Sequence, residues 1–175
     1  MDRVGLADLL RDGVNRRDLT GEVMDDLGFS FALWNRKSPS VTLSGTVGAA
    51  TSAEGILNSL VLETVPDASA VPRIYELDVA KNVFASVVSS WCPAWATWTS
   101  HEWRESQDAE PRQPVVGWMT YVGAEIDSGL AGTEIAPFRD GSIIRLSGAP
   151  ASIATDDIVA LRAELLGRGA LVPIT

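Results

Sequence analysis

A chain of 175 residues, 46% hydrophobic and 21% charged, has the size and balance of one globular domain and excludes a disordered or fibrous polypeptide. Its 23 acidic residues against 14 basic ones leave a net charge of −9, which sets it against phosphate backbones and anionic lipid and suits a basic protein as partner, although moderate acidity is also the commonest route to solubility alone. No stretch approaches the roughly 20 apolar residues of a membrane helix, the start MDRVGLADLLRDGVNRRD lacks a signal peptide's apolar segment, and a lone cysteine builds no disulfide framework, so the chain reads as cytoplasmic, with Cys92 a small buried hydrophobe.

Leu6, Leu9, Leu10 and Val14 recur at helical spacing, and Leu19, Val23 and Leu27 repeat it after the polar NRRD segment, which predicts two short helices. From Gly28 the period falls to two. Phe29, Phe31 and Leu33 alternate with Ser30, Ala32 and Trp34, the turn segment NRKSPS follows, and Val41, Leu43 and Val47 alternate with Thr42, Ser44 and Thr46, which together predict a β-hairpin. A third strand is expected over 57–65 with Leu60 and Leu62 on one face, and Pro66 and Pro72 bracket a turn.

Leu77, Ala80, Phe84, Val87, Val88 and Trp91 make one buried helical stripe. Pro93 ends it, because its ring lacks a donor and restricts the residue before it. Four strand-like pieces follow, Ala96–Ser100, Val115–Val122, Thr133–Ala136 and Ser142–Leu146, with Asp140-Gly141 as the turn between the last two. Between the first two lies HEWRESQDAEPRQP, polar and broken by proline, which reads as an exposed loop with Trp103 at its surface. A last helix starts at a Thr155 cap, carries Asp156 and Asp157 in its positive first turn, turns Ile158, Leu161 and Leu165 inward and closes at Gly167 or Gly169. Strands and helices without regular βαβ alternation predict a single α+β domain, a mainly antiparallel sheet with helices packed on it.

Catalytic patterns are scarce. His101 is the only histidine, so paired-imidazole metal motifs are excluded, and beside Glu102 it reads as a surface residue. Cys92 has no cationic neighbours to lower its pKa and make it a nucleophile. No glycine pattern cradles phosphate. Glu125 and Asp127, two apart, could form the carboxylate pair of a small hydrolase, yet they stand just past a strand and before Ser128-Gly129, as a solvated turn does. Trp91, Trp95, Trp98 and Trp103 crowd together, with Trp91 and Trp98 expected in the core. Neither a metal nor a cofactor is expected.

The segments SSWCPAWATWTS, GWMTYVG, RDGSIIRLSG and DDIVALRAELLGRGAL, in this order and preceded by GVNRRDLTGEVMDDLGFSFALWN, resemble the immunity protein 52 family of bacterial polymorphic toxin systems. The resemblance spans nearly the whole chain. It departs in two places: family members often carry an additional N-terminal helical segment, and Asp140-Gly141 stands where a double glycine is usual. It implies a non-enzymatic protein that neutralises a toxin encoded beside it, frequently a nuclease of the restriction-endonuclease-like class, in systems that include type VI secretion.

An acidic inhibitor is steered toward the basic active site of a nuclease and competes for the groups that hold phosphate. On that reading the partner-binding residues are Glu102, Trp103, Glu105, Asp108 and Glu110 of the acidic loop, with Glu125, Asp127 and Glu134. The partner is the cognate toxin, and neither nucleic acid nor membrane is a direct ligand. Docking beside the active site is the alternative within binding; a hydrolase using Glu125 and Asp127, or an adaptor unrelated to toxins, are the alternatives outside it. Trp118 and Tyr121 fall on opposite faces of their strand, so one of them is expected in the core.

Overall fold

The computed structural model describes residues 3–37, 40–50, 58–64, 73–110, 112–127 and 129–172. The chain divides into two units, Met1–Pro72 and Arg73–Thr175.

In the first unit, α1 (Arg3–Asp12) ends at Gly13, whose N–H donates to the carbonyls of Leu9 and Leu10 at 3.1 and 3.2 Å. The expected second helix does not form. Gly21, at φ +68°, reverses the chain so that Arg16 bridges Val23, and only a single 3-10 turn, Asp25–Leu27, precedes the sheet. Leu19 is left fully exposed at the tip, so helical spacing here does not correspond to a shared face.

The hairpin and third strand form as predicted. β1 (Phe29–Trp34), β2 (Val41–Val47) and β3 (Ser59–Thr64) make an antiparallel sheet in the order β1-β2-β3. Register pairs Phe31 with Gly45 and Leu33 with Leu43, while Leu43 pairs with Leu62. One face therefore gathers Phe29, Phe31, Leu33, Leu43, Val47, Leu60 and Leu62, and the other Ser30, Thr42, Ser44, Thr46 and Glu63. Leu57, Val65, Pro66 and Pro72 lie outside the described residues.

The second unit opens with α2 (Leu77–Trp91), which buries Ala80, Phe84 and Val88. Its cap is Cys92, left-handed at φ +49°, whose N–H donates to the Val88 carbonyl at 3.0 Å. Pro93 disfavours the right-handed helical conformation at Cys92, and the capping geometry leaves the side chain exposed instead of buried as expected.

β4 (Trp95–Trp98), α3 (His101–Ser106), β5 (Met119–Val122), β6 (Thr133–Phe138), β7 (Gly141–Leu146) and α4 (Thr155–Gly167) follow. The four strands form an antiparallel sheet ordered β4-β5-β7-β6, so with the first sheet the fold is α+β, as predicted. β5 lies inside this sheet with all four residues buried, which requires cover on both faces. Tyr121 within β5 and Trp118 directly before it are both buried, where alternation alone had assigned one to the core. Trp118 packs edge-on to Trp98 with centroids 5.8 Å apart, and its indole N–H donates to the Gly148 carbonyl at 3.1 Å.

The β6–β7 turn is centred one residue earlier than expected. Phe138 pairs with Gly141, leaving Arg139, at φ +54°, and Asp140 as the two central residues. Gly141 is required for room: a Cβ there would stand 2.0 Å from the Val122 carbonyl oxygen. α4 is likewise capped one residue early. Ala154 holds the N-cap position, and its N–H donates to Asp157 Oδ2 at 3.3 Å, so Thr155 is already helical. Ile158, Leu161 and Leu165 face inward as predicted. The helix closes at Gly169, φ +68°, with the Gly169 N–H on the Leu166 carbonyl and the Ala170 N–H on the Leu165 carbonyl, both at 2.9 Å, a Schellman arrangement.

Candidate functional site

The segment expected to be a loop begins as a helix. Ser100 caps α3, its Oγ accepting from the Trp103 N–H at 3.1 Å, which satisfies one of the free donors of the first turn. Trp103 is half-buried and packs against the core, so the exposed position expected for it is not observed. A six-residue helix has to bury its one large apolar side chain to stay docked.

Gln107, directly after α3, is buried. Its Nε2 donates to the carbonyls of Trp103 at 2.8 Å and Val116 at 2.9 Å, and its Oε1 accepts from the Val116 N–H at 2.8 Å. Arg162 of α4 reaches the same segment, donating to the Gln107 carbonyl at 3.2 Å, the Pro114 carbonyl at 3.3 Å and Gln113 Oε1 at 2.7 Å. A polar stretch without much apolar burial is thus held at both ends by hydrogen bonds. Glu102, Glu105, Asp108 and Glu110 remain exposed on it. His101 Nε2 lies 3.1 Å from Glu105 Oε1, one helical turn on.

Glu125 and Asp127 are exposed on either side of half-buried Ile126, whose N–H donates to Ser142 Oγ at 2.9 Å. The middle residue is anchored and the two carboxylates face water.

Glu134 has a different environment. Both its oxygens meet Arg145, its cross-strand neighbour: Oε2 accepts from Nε at 3.3 Å and Oε1 from Nη2. The Arg145 side chain is 8% exposed and Glu134 56%, and Lys81 Nζ of α2 stands 3.8 Å from Glu134 Oε2. The remaining guanidinium nitrogen, Nη1, donates to the carbonyls of Leu146 at 3.1 Å and Gly148 at 3.4 Å. Glu134 is therefore the counter-ion of a nearly buried arginine.

Gln107 and Arg162 escaped the sequence reading because nothing local separates a buried glutamine in a polar run, or an arginine on an amphipathic helix, from surface residues. The Glu134–Arg145 pair had a legible signal, opposite charges that the short β6–β7 turn sets across from each other. Among the described residues no cluster of three or more His, Cys, Asp or Glu could hold a metal ion, and no helix is long and apolar enough to cross a membrane.

This geometry describes an α+β protein whose exposed carboxylates are carried on a hydrogen-bonded scaffold. The model of the immunity protein 52 family matches residues 1–164, and the chain belongs to that family. The family's designation supports an immunity protein. A comparison with curated proteins returns no match.

Proposed function

We propose that this immunity protein acts in the cytoplasm, without catalysis, by binding its cognate toxin, a basic nuclease domain, and covering the active site. The observation that supports the reading is the set Glu102, Glu105, Asp108 and Glu110, held outward on a segment clamped by Gln107 and Arg162. Carboxylates presented on a fixed backbone bind a basic cleft without the ordering cost of a loose loop. Glu125 and Asp127 are further exposed carboxylates open to a basic partner, while Glu134 serves the fold as the counter-ion of Arg145. The family match, which runs through both units, supports reading them as parts of one immunity-protein domain.

Co-expression with the toxin encoded by the neighbouring gene tests the function. Protected growth, with non-cognate toxins still lethal, is the expected result, and equal killing with and without this protein removes the reading. Competition tests the mode: if the active site is covered, duplex DNA and the immunity protein exclude each other on a catalytically dead toxin. A ternary complex would indicate docking beside the site.

A further inference from the structure

α4 is apolar on two sides. Ile158, Leu161 and Leu165 face the core, yet Val159 is 41% exposed and Leu166 39%, with exposed Ala163 between them on the helix surface. At about 100° per residue these three fall within about 60° of one another. A helix that carries apolar residues beyond its buried stripe has a second face suited to a partner.

The surroundings say which partner. Arg162 stands about 40° from Leu166 and about 60° from Val159 around the helix, and it is Arg162 that holds the acidic segment through Gln107, Gln113 and Pro114. The apolar stripe therefore lies alongside the segment bearing Glu102, Glu105, Asp108 and Glu110, with Asp156 at its N-terminal end. Among the described residues of this neighbourhood, Arg104, Arg112 and the half-buried Arg162 are the cations set against those five carboxylates, which leaves the rim acidic. A second copy of the chain laid on the stripe would bring the same carboxylates against themselves, whereas a basic surface would be attracted to them. Apolar contact ringed by charge is also how energetically important interface positions are shielded from water.

From these relations we infer that the Val159–Ala163–Leu166 stripe of α4 is the apolar centre of the surface that docks a basic toxin domain, with the acidic segment as its rim. This rests on the toxin-binding reading above and adds to it the residues that hold the complex together. It also supplies the anchor that Trp103, packed on the core, does not offer.

The test uses the full chain and the purified toxin domain encoded by the neighbouring gene. Ala163→Arg places bulk and positive charge at the centre of the stripe without removing any core atom, and Asn82→Arg puts the same charge on the exposed side of α2 as a control. The expected result is dissociation about tenfold faster or more for Ala163→Arg, with Asn82→Arg close to wild type and both variants melting like wild type. Val159→Ser is a second, smaller change that should also speed dissociation. If wild type binds and both α4 variants dissociate at its rate, the docking proposal is overturned while the immunity reading stands. If wild type fails to bind this toxin, both fall. A wild-type dimer in sedimentation that Ala163→Arg dissociates would assign the stripe to a second copy and overturn the proposal.

Discussion

The carboxamide of Gln107 bonds both backbone groups of Val116, accepting from its N–H at 2.8 Å and donating to its carbonyl at 2.9 Å. Val116 lies before β5, outside the strand ladders, and is buried, so its backbone groups have no water to turn to. A single side chain thus takes the place of a missing strand partner and ties the acidic segment to the core.

Gln107→Leu keeps the apolar volume and removes all three hydrogen bonds. Unpaired backbone groups at Val116 should cost about 2 to 3 kcal/mol. Urea denaturation read by tryptophan fluorescence checks this, and a loss below about 0.5 kcal/mol would show that water replaces the carboxamide.

Glu134→Gln should destabilise the fold by about 1 to 2 kcal/mol. That is less than a fully buried pair would lose, because Glu134 itself is 56% exposed and solvent screens the pairing. A double-mutant cycle with Arg145→Met separates the pair from each residue's own contribution. A Glu134→Gln protein as stable as wild type, but slower to bind toxin, would return this residue to the interface.

Trp118, 1% exposed, packs against Trp98 and donates to Gly148. Its replacement by alanine should cost about 3 to 5 kcal/mol, the range for a buried aromatic. Any loss of protection should track the unfolded fraction. A Trp118→Ala protein that melts normally and yet fails to bind would place the indole in recognition.

Reversing Glu105 and Asp108 to lysine should slow toxin association several-fold at low salt, leave dissociation nearly unchanged, and lose its effect as salt screens the charges. Stopped-flow association at two ionic strengths reads this directly. Trp103→Ala, at a position the sequence placed in the partner-binding set, should instead lower stability, since the ring packs on the core. Equal association rates for the lysine variant and wild type would leave the acidic segment out of steering.

Periodicity and punctuation determined α1, the β1–β2 hairpin, β3, α2, the inward residues of α4 and the antiparallel α+β class, because these depend on neighbours a few residues apart and on an apolar pattern that selects one face. The family resemblance was legible for a related reason: its motifs sit on those same elements. Tertiary structure alone decided the rest. Helical spacing at Leu19, Val23 and Leu27 yielded to a glycine turn; Trp103 found the core; Tyr121 in β5 and Trp118 just before it were both buried because that part of the chain is covered on two faces; and Cys92 was left outside by the cap that Pro93 imposes. The acidic segment shows the cause most directly. Its position is set by Gln107 on Val116 and by Arg162 on carbonyls 48 and 55 residues away, and bonds over such separations leave no local pattern in the chain.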